Sequence, residues 1–230
     1  MTVSADRPEY LSQTLDSWRH VRSTEDWVFG FSVEPGPHLR ACADLIDRFT
    51  ENHKSYVIVN PKRYGVLRNP FASFNNAFQQ FEFVVLSEED VEVSNDILEF
   101  FSSMSVKYRD AQKVLAVCAE NWCAPGNAHD AVFLDPRFCP LVWGTWQDRW
   151  ENTLRDTWDL DYSTGNADGS HAGWDWNINR IIKSEGFRVA APGVARSLHI
   201  GRKGVHMLEQ DFAASQSPTY VPAHSDRHWV

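Results

Sequence analysis

The stretch Phe81–Phe101, FEFVVLSEEDVEVSNDILEFF, decides the fold. It opens as a short apolar strand, Phe83-Val84-Val85-Leu86, and runs into three consecutive carboxylates, Glu88-Glu89-Asp90. After Val91-Glu92-Val93 a helix is predicted, with Ser94 or Asn95 as N-cap, Asp96 in the first turn, and Ile97, Phe101, Met104 and Tyr108 at helical spacing. A buried strand that ends in adjacent acids puts negative charge at the carboxyl edge of a sheet, where open α/β sheets bind ligands. Three acids there repel one another unless a cation intervenes, and a hard divalent metal held on phosphates is the usual solution. A solvated acidic turn is the alternative for a triplet taken alone.

The residues before this stretch alternate strand and helix. Thr2–Ala5 reads as a strand, and Pro8 and Glu9 open a helix carrying Leu11, Leu15, Trp18 and Val21 on one face. Trp27–Val33 is a strand stopped by Glu34-Pro35-Gly36-Pro37, and residues 38–52 form a helix. Residues 56–59 form a strand, and residues 71–81 a helix that leads into Phe83. This alternation predicts an α/β, doubly wound, mostly parallel sheet with helices on both faces. The first strand is followed by Asp6-Arg7-Pro8, with no Gly-x-Gly-x-x-Gly or Walker loop, which argues against a nicotinamide or P-loop protein. Arg7 and Glu34 each stand just past a strand. An arginine there can contact a base or phosphate, and a carboxylate can accept the imide N–H of uracil; a surface ion pair or turn is the plain alternative.

Beyond Phe101 a fifth strand is expected over Val114–Cys118, and a partly extended segment over Phe138–Gly144. A short helix follows over residues 147–155, then a polar loop over residues 162–173. A helix opens at Trp174-Asp175-Trp176-Asn177 and stops at Gly186. Asp175 lies between two indoles, where desolvation strengthens a carboxylate as a general base; a first-turn acid that favours the helix N-terminus reads the same way. Gly201-Arg202-Lys203-Gly204-Val205-His206 is a glycine-flanked basic loop able to close on a diphosphate.

The chain has 230 residues, a net charge of -9, ten tryptophans and four cysteines. The acidic balance disfavours nucleic acid as a partner. No apolar run reaches the length of a membrane span, and the amino end has no signal-peptide pattern. The cysteines lack disulfide or zinc spacing, which with the other features predicts a cytoplasmic protein. The tryptophans, dense between Trp143 and Trp176, predict core filling or a sugar-lined site, core being favoured on composition. Trp143, Trp174 and Trp176 are the candidates for stacking on sugar.

Taken in order, these features resemble the β-1,2-N-acetylglucosaminyltransferases that act on mannose, of the N-glycan and O-mannose types, over about Thr2–Met207. Glu88-Glu89-Asp90-Val91-Glu92-Val93 looks like that family's Glu-Asp-Asp-Leu-Glu-Val segment. Trp174-Asp175-Trp176 looks like its base region, and residues 196–205 like its closing loop. The resemblance implies a GT-A fold over residues 1–207 with a polar tail over 208–230. It implies a UDP-sugar donor, Mn2+ (or Mg2+), an inverting transfer and a glycan or glycoprotein acceptor. It further implies that Asp90 binds the metal with Glu88 and Glu89 nearby, and that Arg7 and Glu34 hold the uridine. Asp175 would be the base, and Val205 and His206 would lie on the loop over the diphosphate. Glu89 stands where the family has Asp, His206 where the N-glycan enzyme has Ser, and Asn177 competes with Asp175 in the register of the O-mannose enzyme. A catalytically degenerate binding module and a metal-dependent nucleotidyltransferase are the competing functions.

Overall fold

The structure is a computed structural model that describes residues 1–121, 128–167, 170–202, 212, 220 and 229. The first half builds as the alternation predicts. β1 (Thr2–Val3), α1 (Pro8–Arg19), β2 (Phe29–Val33), α2 (Leu39–Thr50) and β3 (Ser55–Val59) give a parallel sheet ordered β1-β2-β3. Pro8 starts α1 because its missing N–H is one that no helix start can pair internally.

α3 (Gly65–Ala77) begins six residues before the expected Phe71 and contains Pro70. Two devices make this possible. Glu34 Oε1 accepts the N–H groups of Tyr64 (2.9 Å) and Gly65 (2.7 Å), satisfying donors at the helix start. Pro70 has no N–H to give to the Val66 carbonyl four residues back. That carbonyl accepts the indole N–H of Trp174 at 3.1 Å instead.

The second sheet is ordered β4-β8-β6-β9-β7, from β4 (Phe83–Ser87), β6 (Val114–Cys118), β7 (Val132–Asp135), β8 (Val142–Trp146) and β9 (Arg188–Pro192). Only β6 and β9 pair in parallel here; β8 runs antiparallel to both β4 and β6, and β7 antiparallel to β9. The mostly parallel arrangement expected from the sequence is fully parallel in the first sheet, while the second sheet is mixed. No strand is expected from the sequence at β7, whose Phe133 and Leu134 stay exposed at the sheet edge.

Helices cover both faces. On one, α1, α2 and α4 (Ile97–Lys107) bury Leu15, Ile46 and Phe101 with Val117, Val142 and Trp146. On the other, α3 and α7 (Trp174–Glu185) bury Phe74 and Ile178 with Cys118, Trp143, Trp150 and Trp158. The helical run after β8 consists of α5 (Gln147–Arg149), a wider π turn over Trp150–Leu154, and α6 (Arg155–Thr157). Most of the tryptophans are core. Trp158 and Trp174 stack at 4.6 Å and 8°, and Trp143 and Trp174 at 5.9 Å. A cavity of about 330 Å3 lies between β2 and β4, lined by Phe31, Tyr56, Phe74 and Val85, with none of the acidic triplet in its wall.

Residues of the expected polar tail reach the body. Trp229 packs edge-on against Phe100 at 4.9 Å, and the Tyr220 hydroxyl donates to Glu92 at 3.3 Å. Cys42, Cys118 and Cys139 are free and buried. Among the described residues no helix is long and apolar enough to cross a membrane.

Candidate active site

The acidic triplet is held by a small ribbon. β5 (Val91–Val93) pairs antiparallel with β10 (Ser197–His199), with Val91 opposite His199. The pairing continues through Ile200 N–H to the Asp90 carbonyl at 2.9 Å and Ser94 N–H to the Arg196 carbonyl. Among the described residues the other edge of β5 has no strand beside it. Side chains of α1 satisfy it: Val91 N–H donates to Thr14 Oγ1 and Val93 N–H to Ser17 Oγ, both at 3.1 Å. Thr14 also donates to the Glu89 carbonyl at 2.7 Å.

Below the ribbon, Asp96 and Arg196 form a fully buried ion pair at 3.2 Å. The sequence reading puts Asp96 in the first helical turn; it stands instead at the N-cap position of α4 with no capping bond. Its carboxylate accepts from Ser94 Oγ and Arg196, so the role is to hold the two ends of the ribbon together.

The three carboxylates have three environments. Glu89 accepts from Ser4 N–H (2.8 Å) and Ser4 Oγ (2.5 Å) and pairs with Arg7 at 3.1 Å. Burial raises its pKa, against the hydrogen bonds from Ser4 and Arg7. Those bonds tie it to the end of β1. Asp90 is buried; its Oδ2 lies 2.8 Å from Arg7 Nη1 and 3.6 Å from His199 Nε2. Burial opposes its ionised form, but His199 and Arg7 outweigh that and hold its carboxyl below the ordinary range. Glu88 is within electrostatic reach of both Asp90 and Asp175, and burial together with those negative neighbours raises it well above the ordinary range.

Asp90 Oδ1 is buried and has no hydrogen-bond partner among the described residues. A buried carboxylate oxygen in that condition is costly unless something positive meets it. Gly201 stands over the same carboxylate, and a Cβ there would collide with Asp90 Oδ2 and crowd His199 Nε2. Glycine at this position therefore lets the backbone lie directly against the carboxylate. Among the described residues no three His, Cys, Asp or Glu side chains converge closely enough to hold an ion by themselves. The donors that could hold a divalent cation are Asp90 and His199. His199 has no assigned role in the sequence reading, since only the fold brings it to Asp90, 109 positions along the chain, though its place opposite Val91 follows once β5 and β10 are paired.

Asp175 lies in the first turn of α7, after Gly173 at φ 114°, a conformation that favours glycine. The loop before it is tied down. Asp159 accepts hydrogen bonds from the N–H groups of Asp161, Ser163, Thr164 and Gly173 and from Thr164 Oγ1. Burial opposes its charge, but these donors win and pull it down to about 2. The competing residue Asn177 donates its amide to the Thr157 carbonyl and accepts from Arg180, a structural placement.

Of the three tryptophans offered as sugar platforms, Trp143 and Trp174 are excluded by burial at 0% and 3% exposure, and Trp174 is committed to Val66. Trp176, 45% exposed, remains. Arg7 is on Glu89 and Asp90, and Glu34 on the start of α3; Arg63 Nε lies 3.9 Å from Glu34 Oε2. Val205 and His206 lie outside the described residues.

The fold and this site define the class: a GT-A-type α/β fold with an acidic cluster at the strand ends. No family model and no curated protein matches the chain. Solved structures do. S. aureus TarS in complex with UDP-GlcNAc matches with a TM-score of 0.58 and 12% identity over 93% of this chain and 62% of that one. The mannosyltransferase PcManGT from Pyrobaculum calidifontis, in complex with GDP-Man and Mn2+, gives 0.51 and 17% over 85% and 56%. A UDP-glucose pyrophosphorylase complexed with UDP-glucose gives 0.50 and 12% over 90% and 86%. The chain spans about three fifths of the TarS and PcManGT structures. At these identities the likeness is one of fold.

Proposed function

We propose that the chain is a metal-assisted, inverting glycosyltransferase of the cytoplasm. It moves a GlcNAc-like or hexose unit from a UDP-sugar to a hydroxyl of a glycan or glycoprotein. The observation that carries this reading is the buried Oδ1 of Asp90, without a hydrogen-bond partner among the described residues, on a carboxylate that Gly201, His199 and Arg7 surround. The neighbours that hold nucleotide sugars and Mn2+ on the same fold support it.

Asp90 and His199 would hold Mn2+ or Mg2+, which when bound offsets charge on the leaving diphosphate. Arg7 exchanges its place on Asp90 for the donor's phosphate or uridine, leaving Glu89 to fix the end of β1. Glu34 keeps Oε1 on α3 and offers Oε2 to the uracil imide. Glu88 stands beside Asp90, where a bound cation would favour its ionised form. Asp175 accepts the proton of the acceptor hydroxyl as that oxygen forms a bond to the anomeric carbon and the bond from that carbon to the diphosphate oxygen breaks. The two oxygens are on opposite faces, so one displacement inverts the centre. Val205 and His206 belong to the segment that closes on the diphosphate and excludes water. Residues 1–207 form the catalytic domain, with 208–230 as an appended tail.

A UDP-release assay with Mn2+, UDP-sugars and saccharide acceptors tests this. Acceptor-dependent UDP release in the wild type, lost in both Asp90→Asn and Asp175→Asn, is the expected result. The likeness to UDP-glucose pyrophosphorylase favours a second reading, a nucleotidyltransferase. Pyrophosphate release from UTP and a sugar phosphate, without UDP release from any UDP-sugar, would replace the first reading by that one. Metal-dependent UDP binding without either turnover would mark a degenerate binding module.

A further inference from the structure

Beside Asp175 the chain keeps three aromatic rings out of its core. Trp176 and Tyr162 are each 45% exposed. The exposed His171 packs edge-on against Trp176, with centroids 4.2 Å apart and planes at 85°. Tyr162 and Asp175 crowd one small spot. A Cβ on Gly173 would lie 3.1 Å from Asp175 Oδ1 and 3.7 Å from Tyr162 Cε1. The phenol feels its place, since burial and then the Asp175 charge raise its pKa.

Core packing does not account for these rings. The neighbouring core is closed by Trp143, Trp158 and Trp174 stacked on one another. Tyr162 and His171 also adopt left-handed backbone, at φ 61° and 55°. That conformation is unfavourable for side chains of this size. The five hydrogen bonds to Asp159 and the Arg180 bond to the His171 carbonyl hold the loop in that form. Exposed aromatic rings on the loop and first helical turn that carry Asp175 match a ligand with an apolar face and a rim of hydroxyls. A pyranose ring has both, as its C–H groups gather on one face.

We propose that Tyr162 and Trp176 form the acceptor subsite and that the acceptor is a saccharide whose pyranose lies against these rings, presenting a hydroxyl to Asp175. An amino-acid hydroxyl of a protein would leave the rings uncovered. The proposal rests on the reading of Asp175 as the base and narrows its substrate class.

Saturation-transfer NMR on the wild-type chain tests it. The probes are the methyl glycosides of α-mannose, β-glucose and β-galactose, with a threonine-containing tripeptide alongside. At least one glycoside is expected to receive saturation, strongest on the C–H groups of one face. Trp176→Ala is expected to lose the signal, and Tyr162→Ala to weaken it at least fivefold. Tyr162→Phe keeps the ring and is expected to retain it. Circular dichroism and melting temperature show whether each variant folds. Should Tyr162→Ala unfold, Trp176→Gln, at an exposed position, carries the test. No saturation of any glycoside in the wild type, saturation of the tripeptide alone, or a glycoside signal unchanged in folded Trp176→Ala would overturn the proposal. UDP-sugar binding in the presence of Mn2+, followed by melting temperature on a separate portion of the same wild-type protein, reads the donor site separately. Saccharide binding without a donor effect would leave the subsite standing and remove the transferase reading.

Discussion

Arg7 Nη1 stands 2.8 Å from Asp90 Oδ2 while its Nη2 stands 3.1 Å from Glu89 Oε1. One guanidinium therefore neutralises two adjacent buried carboxylates and links the end of β1 to the start of β5. Removing it in Arg7→Met leaves both acids without their cation. Partial exposure of Arg7 tempers the loss, and roughly 2 to 4 kcal/mol of destabilisation is expected at pH 7. The Asp90 pKa is depressed, so its share of the stability is present above the ordinary carboxylate pKa and lost as pH falls through the folded value. The gap between wild type and variant should narrow in acid. Urea denaturation at pH 7 and at about pH 3, below the ordinary carboxylate pKa, measures it.

Asp159 gives a second pH signature. Its folded pKa of about 2 lies below the ordinary value of 3.8. It contributes stability above pH 4, which fades as pH falls from 4 toward 2. The shift corresponds to about 2 kcal/mol. Asp159→Asn should lose that increment and free the N–H groups of Thr164 and Gly173 to exchange. Amide hydrogen exchange of the 161–173 loop would show faster exchange there, with β6 unchanged.

Trp174 joins α7 to α3 through the carbonyl that Pro70 leaves free. Trp174→Phe retains an aromatic ring but orphans the Val66 carbonyl. A loss of about 1 to 3 kcal/mol is expected. Restoring the helical N–H in the double variant Pro70→Ala, Trp174→Phe should recover part of it. A double-mutant cycle of melting temperatures gives the coupling.

The strand and helix order of the first half was legible because each element carries its own period and its own stop, as in Pro8 of α1 and Gly186 after α7. The acidic triplet stood out in the sequence because it follows an apolar strand, and the family resemblance singled out Asp90 within it. The rest depended on partners distant in sequence. β5 is only three residues, and it becomes a strand because Ser197–His199 and the hydroxyls of Thr14 and Ser17 satisfy its two edges. His199 reaches Asp90 by that pairing. The early start of α3 needs Glu34 and Trp174, neither within its own stretch. Trp143 and Trp176 are chemically alike in the sequence, and only the β8 position of the one and the first-turn exposure of the other separate core from surface.

The most direct test is thermal stability of the wild type and Asp90→Ala with Mn2+ and UDP-GlcNAc, UDP-Glc or UDP-Gal, each alone and together. A ligand that binds only the folded chain raises its melting temperature by mass action. The account predicts a rise that needs both the metal and a UDP-sugar and disappears in Asp90→Ala. A wild type that melts at the same temperature with every combination, or an Asp90→Ala variant that keeps the full rise, would contradict it.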